Sequence, residues 1–189
     1  MRANSVLALG EPDIAIDDAI DKAVEFYKER DLTPTFHIVL PTYIELDALL
    51  ERKGWSEKVI VQVMVSDISL GEPPRQDRGA WEFDHEPSDE WLHFQNDAGA
   101  KDIMVRYPAI YAGLRVAGNL IAAGRAANFE KWTVLTRLYV RPDLRSQGLG
   151  KALLTALLQE ARSQGATKAL LQVDSKNTSA IALYKKLGF

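Results

Sequence analysis

The sequence predicts an α/β fold with a mixed sheet, and two neighbouring patterns carry this prediction. A strand pattern over residues 133–140 passes through the glycine turn at 145–150 into a Leu-rich amphipathic helix. The order then repeats, with strand alternation over 168–174 and helical periodicity over 178–187. Two consecutive strand–helix units imply a parallel strand pair joined by a right-handed crossover.

The first 70 residues predict an additional αβαβ segment. Apolar residues recur at helical spacing over 17–30, and a short apolar run at 36–40 predicts a strand between two prolines. A second helix is predicted over 43–53 and ends before Gly54, and a β-branched strand over 59–65 follows.

The remaining chain divides into a linker and a second domain. Residues 71–85 mix Gly, Pro and charges without a period, which predicts a linker. From residue 86 to 189 the sequence predicts one domain, which begins with a short helix capped by Ser88. Two apolar runs at 107–115 and 119–127 then predict a β-hairpin.

Composition excludes several classes of protein. The 189 residues are 47% hydrophobic, contain no cysteine and carry a net charge of −3. These values disfavour a disulfide scaffold and a general nucleic-acid binder. No apolar run has the length of a membrane span, and the run at 6–9 is too short for a secretion signal. We therefore expect a soluble, cytoplasmic protein that binds neither nucleic acid nor membranes.

The glycine turn has the chemistry of an anion site. A strand that turns through glycines into a helix presents unpaired N–H groups and the positive end of the helix dipole. Residues 137–151 include four basic residues and only one acidic residue, Asp143. Taken alone, a turn that merely joins strand to helix explains the hexapeptide equally well.

Two groups of residues resemble the GNAT superfamily of acetyl-coenzyme A dependent N-acetyltransferases. The first is Leu138-Tyr139-Val140-Arg141-Pro142 followed by Arg145-Ser146-Gln147-Gly148-Leu149-Gly150, which is similar to the family's strand and pyrophosphate loop. The second is the later series of Asn177, Ala180, Leu183-Tyr184 and Gly188-Phe189. The resemblance is convincing from residue 107 onward, and residues 36–65 resemble a degenerate partial repeat that lacks the loop.

The resemblance implies a GNAT-like acyl-CoA N-acyltransferase fold with acetyl-coenzyme A as co-substrate. We expect no metal, because the three histidines share no ligand spacing and no acidic cluster resembles a metal loop. The pantetheine arm of acetyl-coenzyme A would meet the backbone of Leu138, Tyr139 and Val140, and Asn177 would contribute a hydrogen bond, although Asn is also a routine helix cap. The pyrophosphate would meet the turn and the residue after it: Arg145, Ser146, Gln147, Gly148, Leu149, Gly150 and Lys151.

Tyr184 is the catalytic residue that the resemblance implies. A phenol is protonated at neutral pH and can donate its proton to a departing thiolate. Helical periodicity alone favours the simpler interpretation of an aromatic residue on a packing face.

A general base is missing from the expected position. Several family members have a glutamate where this chain has Gln172, an amide that cannot accept a proton usefully. Glu130 and Asp174 are the nearest carboxylates in sequence. An α-amino group loses its proton more readily than a lysine amine because its pKa is lower, so the sequence favours an α-amine or another weakly basic amine as acceptor.

The sequence leaves the acceptor open between a small-molecule amine and a peptide or protein N-terminus. It also leaves two alternatives to catalysis, a non-catalytic acyl-CoA binding or regulatory module and an interaction scaffold. The chain ends at Phe189, where the family continues into further strands. We expect the strand at 59–65 or a neighbouring subunit, as in a homodimer, to cover the resulting sheet edge, and a sequence truncated after Phe189 is an equal alternative.

Overall fold

The computed structural model describes residues 5–69, 79–96 and 99–189. Internal contacts divide the chain into two compact units between Lys58 and Val59. The sequence predicts this boundary at residue 70, so the strand predicted over 59–65 belongs to the second unit instead of the first. Residues 71–78 of the predicted linker lie outside the described residues.

The first unit contains two short strands and two helices. These are β1 (Val6–Leu7), α1 (Ile16–Lys28), β2 (Phe36–His37) and α2 (Ile44–Arg52). Strands β1 and β2 pair in parallel, and α1 buries Ile20 and Tyr27. The predicted helix, strand and helix are therefore present, but β2 has only two residues.

The second unit is built on a six-stranded sheet. Its elements are β3 (Val61–Asp67), β4 (Ala80–Asp84), α3 (Asp89–Phe94), α4 (Lys101–Met104), β5 (Ala109–Val116), β6 (Asn119–Phe129), β7 (Trp132–Val140), α5 (Leu149–Ser163), β8 (Lys168–Asp174) and α6 (Thr178–Lys186). The strand order is β3-β8-β7-β6-β5-β4, with β7 and β8 parallel and every other neighbouring pair antiparallel. The mixed sheet and the crossover through α5 agree with the prediction.

Helices cover the two faces of the sheet differently. The leucines of α5 and Ile181 of α6 pack into the larger core on one face. Residues of α3 and α4, including Trp91 and Met104, pack on the opposite face over β5 and β6. Gly124 of β6 brings α5 close to the sheet, since a Cβ there would lie 2.8 Å from Leu157 Cδ1.

The two edge strands of the sheet are β3 and β4, and β4 lies within the predicted linker next to the predicted hairpin. Strand β3 pairs antiparallel with β8 along its whole length, so it covers the edge that the sequence left open. Residues 80–84, predicted as part of the linker, form the outer strand β4 beside β5. Apart from Ala80, their mainly exposed side chains are polar or aromatic, and for this reason the apolar pattern of a strand is weak there.

The hairpin of β5 and β6 is present as predicted. Its turn residues Ala117 and Gly118 have φ angles of 49° and 79°, as a two-residue turn between antiparallel strands requires. Among the helices in the described ranges, none is both long and apolar enough to cross a membrane.

Candidate active site

Strands β7 and β8 separate at the end that leads into α5. They pair with each other only over Trp132–Leu135 and Lys168–Leu171. Beyond this point β7 stays paired with β6 as far as Val140, and β8 stays paired with β3 as far as Asp174. The facing edges at 136–140 and 172–174 therefore border a gap. A ligand with an extended amide backbone can bind to such an edge as an added strand does.

A β-bulge in β7 marks the start of this gap. The register with β6 shifts here, and Arg137 has a φ of 55°, which is uncommon for a residue other than glycine. Leu135 and Leu138 both pack in the core under α5, although three positions separate them instead of two. The bulge therefore leaves Thr136 and Arg137 together on the opposite face of the sheet.

The glycine turn leads directly into the N-terminus of α5. Ser146 and Gly148 have φ angles of 62° and 81°, and Gly148 is the residue that precedes the helix. The N–H groups in the first turn of α5 have no intrahelical acceptor, so they can bind an anion. The side chain of Leu149 is buried in the core, which leaves only its backbone for a ligand. The backbone N–H of Arg145 already donates to Pro142 O at 3.3 Å.

Two of the basic side chains near the loop, those of Arg141 and Arg145, have local partners. Arg141 donates to both carboxylate oxygens of Asp143, at 2.8 and 3.0 Å, and this pairing holds the pKa of Asp143 below its ordinary value. Arg145 donates from Nε to Val140 O at 3.1 Å, and its guanidinium lies 5.6 Å from the ring centre of Tyr139. Lys151 is exposed in the first turn of α5. The positive charge predicted around the loop is therefore partly neutralised.

Asn177 is the N-cap of α6. Its Oδ1 accepts from the Ala180 N–H and from Ser179 Oγ, each at 3.2 Å. Asn177 therefore has the helix-capping role that the sequence also predicted. Its amide nitrogen, a donor, is the part of the side chain that remains suited to a ligand.

Tyr184 lies on the half-buried face of α6. Its ring packs against the core and lies 6.2 Å from the ring of Phe189. Burial raises the pKa of the Tyr184 phenol above its ordinary value, because the phenolate is poorly solvated there. The phenol is therefore protonated across the physiological pH range, as a proton donor must be.

The carboxylates considered as bases lie at opposite ends of the sheet. Glu130 occupies the turn before β7, six residues and roughly 20 Å of strand away from the gap, which excludes it from direct proton transfer. Asp174 lies at the edge of the gap, where its Oδ1 accepts the Lys176 N–H at 2.8 Å. Gln172 is exposed on β8, one residue beyond the region paired with β7. Asp174 remains the nearer of the two predicted carboxylates.

Three polar residues near the gap were not predicted as site residues, and the sequence indicated Arg137 only as one of four basic residues near the glycine turn. The first is Arg137, whose half-buried guanidinium has a pKa lowered by burial. The second is Gln95, which follows α3 and donates from Nε2 to Arg137 O at 2.7 Å. The third is Arg125 of β6, bound to Tyr111 Oη and Met104 O at 3.1 and 2.9 Å. Neither the positive φ of Arg137 nor a hydrogen bond between residues 42 positions apart can be predicted from a local sequence pattern.

Within the described ranges, no group of three or more His, Asp or Glu side chains is arranged to hold a metal ion. The predicted loop at 145–151, the strand end at 138–140 and Asn177 lie at the same end of the sheet, because β7 and β8 are parallel. Tyr184 lies one to two turns further along α6.

Residues 69–189 match the model of the acetyltransferase (GNAT) family, which is more than half of the chain. The chain therefore belongs to this family, and the loop, the strand gap and every strand of the sheet except β3 lie within the matched residues.

Two relatives and one solved structure show how far the similarity extends. Mycothiol acetyltransferase of Streptomyces coelicolor is 48% identical over 52 residues, which are 28% of this chain and only 17% of that protein. The uncharacterized N-acetyltransferase YobR of Bacillus subtilis is 26% identical over 202 aligned positions, covering 100% of this chain and 81% of YobR. A GCN5-related N-acetyltransferase from Kribbella flavida superposes with a TM-score of 0.61 at 19% identity, covering 84% of this chain and 65% of that one. The structural likeness establishes the acyl-CoA N-acyltransferase fold.

Proposed function

We propose that this chain transfers the acetyl group of acetyl-coenzyme A to a primary amine by direct attack in a ternary complex. Family membership supports the reaction class. The structural observation that supports it most is the gap between β7 and β8 beside the N-terminus of α5. An open strand edge suits the two amides of pantetheine, and a helix N-terminus suits the pyrophosphate.

The co-substrate would lie with its pyrophosphate on the backbone N–H groups of residues 146–151. Arg145 would add charge after a small movement away from Val140 O. The pantetheine arm would enter the gap and bind the backbone of residues 138–140, while the amide nitrogen of Asn177 donates to the arm from the opposite side.

The chemical step then requires one bond to form and one to break. The neutral amine attacks the thioester carbonyl carbon, and the C–S bond breaks as the tetrahedral intermediate collapses. The departing thiolate takes the phenolic proton of Tyr184, and the proton lost by the amine leaves through water towards Asp174. Tyr184 recovers its proton from solvent.

A turnover assay tests this proposal directly. The chain contains no cysteine, so a thiol reagent added to the reaction reports released coenzyme A alone. The purified chain is incubated with acetyl-coenzyme A and a panel of small-molecule amines, amino acids and peptides with free N-termini. Amine-dependent thiol release with mass-spectrometric detection of the acetylated amine supports the proposal, and hydrolysis at the same rate without any amine contradicts it.

The alternative is a non-catalytic acyl-CoA binding module, which the exposed amide of Gln172 in place of a carboxylate favours. It predicts saturable binding of acetyl-coenzyme A without acetylation of any amine in the panel. Turnover therefore distinguishes the two functions, whereas binding of acetyl-coenzyme A does not.

A further inference from the structure

We propose that the acceptor amine carries a bulky apolar side chain and that Val63 of β3 binds this side chain, which makes Val63 a specificity-determining residue. This inference rests on the proposed function. It assigns the substrate class that the glycine loop and Tyr184 leave open, since those residues concern the acetyl donor.

The closed end of the gap is where the acetyl group would lie. The pantetheine arm is proposed to run from the glycine loop back along residues 140–138 of β7. The acetyl group at its end would therefore reach the point where β7 and β8 begin to pair, next to Leu135 and Leu171. The first residue of β8 on the open side of this point is the exposed Gln172. The acceptor amine would therefore approach beside Gln172.

The acceptor can reach this point from the face of the sheet opposite α5 and α6. Leu153 of α5 and Ile181 of α6 fill the core on one face. Leu171 and Val173 of β8 belong to the same core. Gln172 lies between them in the strand, so its side chain projects from the other face. This second face is the acceptor face.

Val63 lies beside Gln172 on the acceptor face. The two residues are directly opposite each other in the antiparallel pair of β3 and β8. Such residues project from the same face of a sheet, with Cβ atoms about 5 Å apart. Val63 is 57% exposed, whereas the neighbouring Met64 packs against the core on the other face. A β-branched apolar side chain is therefore open to solvent one strand away from the proposed acetyl position.

Three further apolar residues extend this surface along the acceptor face. Val65 is 51% exposed and pairs with the half-buried Leu170, which in turn pairs with the half-buried Val134 of β7. We call Val63, Val65, Leu170 and Val134 the apolar strip. Helices α3 and α4 pack on this face over β5 and β6, and the strip lies on the other three strands. A contiguous apolar surface that remains open to solvent is typical of a binding site.

Aromatic rings border the opposite side of the gap. Tyr139 of β7 lies between Leu138 and Val140, which both pack against the core, so its ring projects from the acceptor face. Phe94 of α3 lies edge-on to this ring, with ring centres 5.2 Å apart, and both rings are half-buried. Apolar groups therefore lie on both sides of the point where the amine would enter. They favour an apolar substituent, because a charged one would lose hydration there.

The test compares acceptors of matched size. L-Leucinamide and L-asparaginamide have side chains of nearly the same shape, and both side chains are uncharged. L-Argininamide has a cationic side chain, and a preference for it would indicate selection by the carboxylate of Asp174 instead of the apolar strip. Each compound offers its α-amine as the acceptor, and turnover is followed as amine-dependent thiol release.

Two substitutions change the strip, and a third serves as the control. Val63→Thr keeps the β-branched shape and adds a hydroxyl, and Val63→Glu adds a negative charge at an exposed position. Val116→Thr is the matched control, because Val116 is a residue of strand β5 that is 43% exposed. Circular dichroism and the dissociation constant for acetyl-coenzyme A are measured for every variant.

We expect kcat/KM of leucinamide to exceed that of asparaginamide by about 10-fold, the lower end of the range for an apolar pocket, because the strip is open on one side. Val63→Thr should reduce this preference by about 4-fold, the factor for one buried CH₂ group. Val63→Glu should make argininamide the preferred acceptor, and Val116→Thr should leave the preference unchanged. Equal kcat/KM for leucinamide and asparaginamide in the wild type, or a wild-type preference for argininamide, overturns the inference.

If no amine is acetylated, the proposed function fails, and binding decides the inference separately. The CoA-saturated protein is then titrated with leucinamide and asparaginamide by calorimetry. Tighter binding of leucinamide, lost in Val63→Glu, supports the apolar site, and equal binding or no binding contradicts it.

A second copy of the chain is the competing occupant of the strip. Sedimentation equilibrium of the wild type and of Val63→Glu distinguishes it from the acceptor. A wild-type dimer that Val63→Glu dissociates would assign the strip to the contact between copies and overturn the inference. The same molecular mass for both proteins supports the acceptor as the occupant.

Discussion

Gly150 and Leu183 join the glycine loop to the helix that carries Tyr184. A Cβ added to Gly150 would lie 3.2 Å from Leu183 Cδ2, closer than most contacts of this kind. Gly150 therefore allows α5 and α6 to approach each other. The loop that is proposed to bind the donor and the helix that is proposed to protonate the thiolate are thus in direct contact.

Replacing Gly150 by Ala should disturb this contact. Relief of the crowding requires a shift of a few tenths of an ångström, at a cost of about 1 kcal/mol, and the shift passes to the neighbouring Tyr184. We expect kcat to fall several-fold with a smaller change in the dissociation constant for acetyl-coenzyme A. The double variant Gly150→Ala/Leu183→Ala should recover part of kcat, and a double variant slower than both single variants would contradict the contact.

Replacing Tyr184 by Phe should remove the proton donor while preserving the packing. General-acid catalysis is worth about 10²- to 10⁴-fold, so we expect kcat to fall by on the order of 10²-fold or more. Acetyl-coenzyme A should bind as before in calorimetry. Tyr107, a tyrosine that is 67% exposed, provides the control variant Tyr107→Phe, which should retain full activity. Full activity in Tyr184→Phe would exclude the proposed acid.

Tyr184 should also affect stability at high pH. Burial raises its pKa in the folded chain, so the unfolded chain releases the phenolic proton first as the pH rises. Its contribution to the free energy of unfolding is complete below about pH 10, the ordinary tyrosine value, and is lost as the pH rises through the folded-state pKa. Denaturant unfolding from about pH 9 to pH 11 should show a shallower loss of stability for Tyr184→Phe than for the wild type. Identical slopes would mean that the phenol is solvated.

Replacing Gln95 by Ala should loosen the bulge in β7. The lost hydrogen bond from Gln95 Nε2 to Arg137 O is 2.7 Å long and joins residues that are distant in sequence. We expect kcat/KM for the acceptor to fall about 3- to 10-fold, because one hydrogen bond contributes roughly 0.5–1.5 kcal/mol. Binding of acetyl-coenzyme A should change less, and the exposed residue Gln62 gives the control Gln62→Ala. A larger effect of Gln95→Ala on acetyl-coenzyme A binding than on kcat/KM for the acceptor would contradict this expectation.

The parts of the site that the sequence predicts are those encoded over short distances. Gly148 before α5 has the left-handed conformation that favours glycine, and the alternation of residues 133–140 is that of the observed strand β7. The sequence predicted two roles for Asn177, a helix cap and a contact with the ligand. The structure contains the cap, in which Asn177 Oδ1 accepts the Ala180 N–H. The fold class follows from the same local patterns and their order.

The parts that the sequence does not predict depend on pairing between distant residues. The gap exists because β8 pairs with β3, which lies more than 100 residues earlier in the chain. The bulge at Arg137 follows from the register between β6 and β7, and no residue type in β7 indicates it. Gly150 was predicted as part of the pyrophosphate loop, whereas the side chain that a Cβ at this position would meet is that of Leu183.

The central claim is that the loop before α5 and the gap beside β7 form the acetyl-coenzyme A site, and an equilibrium titration tests it most directly. Acetyl-coenzyme A is titrated calorimetrically into the wild-type chain and into Gly148→Glu, which places a carboxylate where the pyrophosphate is expected. We predict one saturable site in the wild type and its loss in a variant that remains folded by circular dichroism. No binding to the folded wild-type chain, or equal binding to both proteins, would contradict the claim.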